Sequence, residues 1–382
     1  MNLLLINYEY PPIGGGAGNA TYFLARAFTQ LGHAVTVLTG AWQEHRGVSD
    51  EDGIHLIRLA YPRKHPSMAS PHEMLCFVAK AFFALPNIVR QQNISHAIIF
   101  FAIPNGPLGW YLHKRYRIPY IVSQRGGDVP GLVPEIEDVH FVLTPIRRQI
   151  LKSAVAIVAN ADGLADLSRK ADPYPVKVIP NGVDTTTFLP NFSKRKHDEF
   201  NIVFVGRFHR QKNLPLLLNT FAAFLPHAGK LKVKLHMIGQ GPMEADLREL
   251  CAELKLDNVV VWHGWSSKSE LMAIHQSCHL LVNPSLYEGL PNAVLEGMAC
   301  GLPIVVSDIP GNSDLVTTEC GWSFSLERES DLLQCFIKAI EAKHRLEAMG
   351  TKSRERVQQV YSWIKVAEQY GEIFFAGNSI RK

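Results

Sequence analysis

The sequence holds no C-x-x-C pair and no histidine at zinc-finger distance from a cysteine, so its six cysteines, Cys76, Cys251, Cys278, Cys300, Cys320 and Cys335, do not spell a structural zinc site. Their wide spacing is that of reduced, mostly buried thiols in a cytoplasmic protein. Charge of one sign is scarce as well. The 39 Lys and Arg against 35 Asp and Glu leave +4, with no long basic tract able to neutralise many phosphates, so nucleic acid is not the expected partner. A basic leader with a small-residue cleavage site is missing, the first apolar run, Leu3 to Ile6, is short, and no stretch of 18 apolar residues follows. Export and membrane spanning are both disfavoured.

What is present suffices for a large core: 382 residues, 47% hydrophobic and 19% charged, a length for two or three domains. Short apolar runs alternate with helical patterns at Leu3 to Ile6, Val35 to Leu38, His55 to Leu59, Ala97 to Phe100, Tyr120 to Val122 and Ala156 to Val158. The cycle restarts at Ile202 to Val205 and continues through Val233 to Ile238, Asn258 to Trp262, Leu280 to Val282 and Ile304 to Val306. Fully apolar strands separated by helices predict parallel sheets covered on both faces, hence an α/β protein of two Rossmann-like doubly wound domains facing across a cleft. Turn formers and mixed charges from Val178 to Glu199 place the connection there. The expected division is 1–184, 185–360, and a tail 361–382 whose helix crosses back to the first domain.

Three stretches carry candidate chemistry. Asn7 to Gly18 (NYEYPPIGGGAG) follows the first strand and opens a helix over Asn19 to Leu31; its glycines, Gly15 and Gly16 among them, let backbone N–H groups approach an anion at a helix start. It lacks G-x-G-x-x-G spacing, and a tight turn without a ligand is the competing reading. Val205 to Asn213 (VGRFHRQKN) places Arg207 and Lys212 where a loop can turn both onto one diphosphate, stabilising charge on a departing group; two solvated cations are the alternative. Pro284 to Pro303 contains Glu288 and Glu296. Pro291 suits a first helical turn, which sets Glu288 on the preceding loop, beside the N–H groups of Gly289 and Leu290, and Glu296 inside the helix. Glu288 is placed to accept from sugar hydroxyls and Glu296 from a ribose, with the helix start toward the diphosphate. A cap and a surface carboxylate are the bland alternative.

These residues, with Gly239-Gln-Gly-Pro242, Gly301-Leu-Pro303 and Ser307-Asp-Ile-Pro-Gly311, resemble the retaining glycosyltransferases of family 4, which have the GT-B fold. The resemblance runs from the Pro-Pro-x-Gly-Gly loop to Tyr361-Ser-Trp363. It implies sugar transfer from a nucleotide-sugar with retention of configuration and no required metal or other cofactor, the nucleotide-diphosphate sugar being a co-substrate. By the family's pattern Arg207 and Lys212 hold the diphosphate, Glu296 the ribose and Glu288 the donor sugar, while Gly15 and Gly16 lie beside donor phosphate and acceptor. No protein nucleophile is implied; the departing phosphate oxygen assists the acceptor hydroxyl, and catalysis is positioning plus electrostatics. The acceptor would be a glycan or lipid-linked molecule of cell-surface polysaccharide or glycolipid synthesis. A nucleotide-sugar isomerase on the same plan, or a binding protein without turnover, are the competing classes.

The sequence departs from that family at Ser123 to Gly131 (SQRGGDVPG), where Arg125 stands in place of the usual His. An arginine cannot accept a proton at ordinary pH. It can hold an anionic group, so Arg125 is expected at the acceptor, with Asp128 orienting the acceptor hydroxyl or simply forming a turn. Asp50-Glu-Asp52 matches a D-x-D metal motif but is read as a solvated polar turn. His263 and Trp265 flank Gly264 after a strand, where they can border a nucleotide base, although packing alone also explains the tryptophan. Met74 to Val89 is apolar and helical with Arg63, Lys64, His65 and Arg90 around it, and His113 to Arg117 adds cations. Peripheral contact with a cytoplasmic leaflet and a buried core helix are its two readings, the core helix favoured.

Overall fold

The structure, a computed structural model, describes residues 1–66, 69–132, 137–288, 290–328 and 330–379. The chain forms two compact units, Met1–Gly182 with Trp363–Lys382, and Val183–Ser362. In the first, β1 (Asn2–Ile6), α1 (Gly16–Gln30), β2 (Ala34–Gly40), β3 (Gly47–Glu51), β4 (Ile54–Leu59), α2 (Pro71–Gln91), β5 (His96–Phe100), α3 (Gly106–Tyr116), β6 (Tyr120–Gln124), α4 (Glu137–Ser153), β7 (Ala156–Ala159), α5 (Asp162–Ala171) and β8 (Val176–Val178) build one sheet. Its order is β3-β4-β2-β1-β5-β6-β7-β8, parallel except for β3. The continuous apolar run of β1 follows from burial on both faces. Leu4 and Ile6 pack with Phe77, Leu108 and Ile150, whereas Leu3 and Leu5 pack with Leu24 and Phe28.

Residues 50–52 correct the expectation of a plain polar turn. Asp50 and Glu51 belong to β3, an exposed edge strand antiparallel to β4, and only Asp52 and Gly53, both at positive φ, make the two-residue turn. Each acid has a local partner: Asp50 with His55, Glu51 with Arg58, and Asp52 with the Tyr22 hydroxyl. Among the described residues no group of three or more His, Cys, Asp or Glu is placed to hold a metal ion.

The second unit runs β9 (Glu199–Val205), α6 (Leu214–Phe224), β10 (Lys232–Ile238), α7 (Glu244–Glu253), β11 (Val260–Gly264), α8 (Lys268–Ser277), β12 (Leu280–Asn283), α9 (Asn292–Ala299), β13 (Ile304–Ser307), β14 (Gly321–Phe324), α10 (Ser330–Glu341) and α11 (Leu346–Val360). Its parallel sheet has the order β11-β10-β9-β12-β13-β14. Ile202 and Phe204 of β9 meet Leu217, Phe221 and Phe336 on one face, and Val203 meets Leu295 and Met298 on the other. The short strands β8 and β14 escaped the sequence pattern, because Val-Lys-Val and Gly-Trp-Ser-Phe lack the continuous apolar run that marks the similarly short β7, β12 and β13.

The chain passes between the units at Gly182–Val183 and again at Ser362–Trp363, where Val183 bridges in parallel to Ser362. A side chain on Gly182 would collide with the Trp363 backbone at 2.7 Å, so only glycine admits the returning chain. Helix α12 (Trp363–Ser379) then lies on α1, with Trp363 stacked on Phe23 at 5.6 Å and Tyr370 buried in the core of the first unit.

Candidate active site

In the second unit the strand order reverses between β9 and β12, since β10 and β11 lie to one side of β9 and β13 and β14 beyond β12. The loops leaving the carboxyl ends of β9 and β12 part at that point, and such switch points are where open α/β sheets bind ligands. Arg207 and Lys212 are on the first loop, Glu288 on the second. The loops are stitched together: Leu286 N donates to Gln211 O at 2.8 Å, and Gln211 Nε2 donates to Tyr287 O at 2.8 Å. The next residue of each completes the seam, with Lys212 Nζ donating to Glu288 Oε1 in an ion pair whose side chains are only 17% and 9% exposed. Sequence reasoning gave Lys212 and Glu288 separate ligands; the structure joins them. Arg207 is exposed, and among the described residues its guanidinium has no hydrogen-bond or ion-pair partner.

Glu288 is held from behind by residues that sequence reasoning missed. Ser285 Oγ lies 2.7 Å from Glu288 Oε1 and 2.6 Å from Asn283 Oδ1, so its single proton serves one of them at a time. Ser307 Oγ donates to Ser285 O at 2.6 Å and accepts from Asn312 Nδ2 at 3.0 Å, which locks the start of the β12 loop onto the end of β13. The S-x-x-E spacing of Ser285 and Glu288 was a usable signal. Gln211 had none, because its partner lies 76 residues away.

Helix α9 begins one residue later than expected, with Pro291 as its N-cap, where the missing N–H costs nothing. No acidic residue occupies its first turn. Leu290 packs against the core under the helix. Glu296, in the second turn, is half-buried; burial pushes its carboxyl up to about 7, and the Lys268 charge opposes that only in part. Gly289 lies outside the described residues.

The Gly239-Gln-Gly-Pro242 run has a packing reason. A Cβ on Gly239 would stand 2.0 Å from Gly206 O, and one on Gly241 2.3 Å from Phe208 O, so the turn after β10 presses directly on the Arg207 loop. Gly239 also sits at φ +133°. Its N–H donates to the carbonyl of Gly264, the left-handed residue closing β11. Beside Gly264, His263 Nε2 lies 2.9 Å from His236 Nδ1, and Trp265 is 77% exposed. Packing therefore does not explain that tryptophan.

In the first unit Gly15 is the N-cap of α1 and Gly16 its first residue, so the helix opens three residues before the expected Asn19. A Cβ on either glycine would meet nothing within 4 Å, and neither has positive φ. Their side-chain-free surface borders open space. The carboxylate of Glu9, raised by burial, accepts the Gly15 N–H, so this helix start already has an anion of the protein's own.

Asp128 and Arg125 are placed differently from expectation. Asp128 is buried, with Oδ2 accepting from Ala102 N at 2.8 Å and Oδ1 from Arg125 N and Gly126 N at 3.0 and 3.1 Å. Burial pushes its carboxyl up to about 6 against those bonds. It ties the loop after β6 to the loop after β5, which corrects the expectation of an open contact to an acceptor hydroxyl. The Arg125 guanidinium lies 4.8 Å from the Phe100 ring centroid, and its Nη1 donates to Asn181 at 2.6 Å and Nη2 to the Tyr370 hydroxyl at 3.4 Å. It braces α12 and the Asn181 turn rather than presenting a free fork to an acceptor.

Known proteins agree with this architecture. Residues 186–361 match the family described as glycosyl transferases group 1, and residues 14–187 match glycosyltransferase family 4. A D-inositol 3-phosphate glycosyltransferase of Pseudarthrobacter chlorophenolicus is 30% identical over 80% of this chain and 77% of its own. The phosphatidylinositol N-acetylglucosaminyltransferase gpi3 subunit of Schizosaccharomyces pombe is 23% identical over 95% and 78%. The Anabaena HepE structure in complex with UDP superposes with a TM-score of 0.70, covering 98% of this chain and all of that one, at 16% identity. Motif spacing, doubly wound sheets and these matches converge: the chain belongs to the family 4, group 1 glycosyltransferases and has their GT-B fold.

Proposed function

We propose that this glycosyltransferase moves a hexose from a nucleoside-diphosphate sugar to a hydroxyl of a glycan or lipid-linked acceptor, with retention of configuration and without a metal, in cell-surface polysaccharide or glycolipid synthesis on the cytoplasmic side of a membrane. The observation that carries it is Lys212, held at the switch point of the second unit with the unpartnered Arg207 on the same loop. Lys212 held in place and Arg207 free to close on the ligand would together supply the charge stabilisation that a departing diphosphate requires.

The other groups fall in order around that anchor. Glu296 would accept the ribose hydroxyls, the α9 start would face the phosphates, and Trp265 would offer its face to the base. Glu288 would exchange Lys212 for a donor-sugar hydroxyl as the diphosphate takes the lysine. The acceptor would lie on the first unit, beside the open surface of Gly15 and Gly16. The HepE structure with UDP and the phosphatidylinositol-directed relative support a nucleotide donor and a lipid-borne acceptor. The test is a melting-temperature screen with uridine, guanosine and adenosine diphosphate sugars, followed by NMR of the product's anomeric proton with chelator present. One donor series should raise the melting point, and the product should keep the donor's anomeric configuration. Inversion, or transfer abolished by chelator, would sink this reading.

A further inference from the structure

The α2 helix is apolar on two opposite faces. Phe77, Ala81, Leu85 and Ile88 are buried against the sheet, as a core helix requires. Leu75, Ala79, Phe82, Phe83 and Pro86 recur at helical spacing on the other side and point to solvent, with Leu75 66% and Phe83 79% exposed. The favoured reading of a buried core helix thus describes the inner face of α2 and not the outer one. By length and composition α2 could cross a bilayer, but its inner face belongs to the core of the first unit.

The stripe does not stand alone. Tyr111 of α3 packs on Phe82 at 4.4 Å between ring centroids, and Trp110 beside it is exposed. Next to α3, α4 exposes Val139, Val142 and Ile146 at the same spacing. Single exposed hydrophobics are ordinary, but a stripe continued over three neighbouring helices marks an interaction surface. Its charge identifies the partner. Between Gly53 and Gly127 the one carboxylate is Glu73, spent in the capping box that starts α2. Lys80, Arg90, Lys114, Arg115 and Arg117, on or just after α2 and α3, have no carboxylate partner among the described residues; besides Glu73 the carboxylates of these three helices are Glu137 and Asp138 in the first turn of α4.

We propose that the outer face of α2 and α3, extended by α4, docks on a bilayer containing anionic lipids. Leu75, Phe82, Phe83 and Trp110 enter the headgroup region, and the surrounding cations meet lipid phosphates. This face belongs to the first unit and its docking does not require the donor site of the second.

Co-flotation of the full chain tests it, with vesicles of phosphatidylcholine alone and of phosphatidylcholine mixed with phosphatidylglycerol. The chain should float with the mixed vesicles, weakly with the neutral ones, and less as salt rises. Leu75→Glu with Phe83→Glu should abolish flotation, and Lys114→Glu and Arg115→Glu should each lower vesicle affinity about fivefold or more. Retained melting points would show that these variants fold, and a retained shift with the nucleotide-sugar that stabilises the parent would keep the donor site out of the comparison. Equal binding to neutral vesicles, no binding, or variants that float like the parent would overturn the proposal. So would a dimer in light scattering that Phe83→Glu converts to monomer, since a second copy would then own this face.

Discussion

Lys212 and Glu288, 76 residues apart in sequence, share one ion pair where the loops after β9 and β12 meet. The pair is mostly shielded from water, so a donor diphosphate that takes the lysine must leave Glu288 a new partner.

Lys212→Ala should therefore weaken binding of the donor's nucleoside diphosphate at least tenfold, as expected for a charge-assisted contact of about 1.5–3 kcal/mol. Glu288→Gln keeps the shape but removes the competitor for the lysine. It should leave nucleotide affinity equal or tighter while lowering turnover with the full donor. Titration calorimetry with the nucleotide alongside kcat with the sugar donor separates the two, and nucleotide binding lost equally in both variants would contradict the exchange.

Glu296 should make nucleotide binding pH-dependent. Its carboxyl, raised to about 7 by burial, is protonated below that pH and loses acceptor strength toward ribose hydroxyls. Nucleotide affinity should fall as pH drops through about 7, and Glu296→Gln should flatten that part of the profile. Because the folded-state value exceeds the unfolded one, the folded chain binds the extra proton between 4.5 and about 7. The same substitution should thus relieve a stability cost that is full above about pH 7 and absent only below 4.5.

Histidines of the second unit act with the opposite sign. Burial lowers His275 to about 3 and His236 and His279 to about 4, below the 6.5 of an unfolded histidine. The unfolded chain then takes up protons that the folded chain refuses, so stability should fall as pH drops from 6.5 toward 4. His275→Leu should make the denaturant midpoint less sensitive to pH over that window. An unchanged pH slope would mean that the buried ring is protonated in the native state.

Two glycines offer a contrast between packing and ligand approach. Gly239→Ala drives a Cβ into Gly206 O at φ +133° and should cost about 2 kcal/mol or more in urea denaturation. Gly16→Ala adds a methyl to open space in a helix and should leave the melting point equal or slightly higher while transfer drops. Full activity in Gly16→Ala would remove that glycine from the site.

Arg125→Ala should lower the melting point by freeing Asn181 and leaving the Tyr370 hydroxyl with Ser123 Oγ alone, whereas nucleotide binding to the second unit should persist. Arg125→Lys should rescue little, because a point charge cannot lie flat on Phe100 while donating sideways to two partners.

The amino-acid sequence by itself determined the alternation of apolar strands and helices, the two doubly wound sheets, the loops that carry Arg207, Lys212 and Glu288, and the helix that carries Glu296. Those features follow from periodicity and turn chemistry among near neighbours, which a linear reading contains. Only the tertiary structure decided that Lys212 meets Glu288, that Asp128 is consumed by three backbone N–H groups, that Glu9 caps the glycine loop, and that α2 keeps one apolar face in water. Each of these depends on which distant segment shields or pairs a given group. Desolvation and pairing arise from contacts across the fold, so the same side chain is open site, loop anchor or docking face according to neighbours far away in the chain.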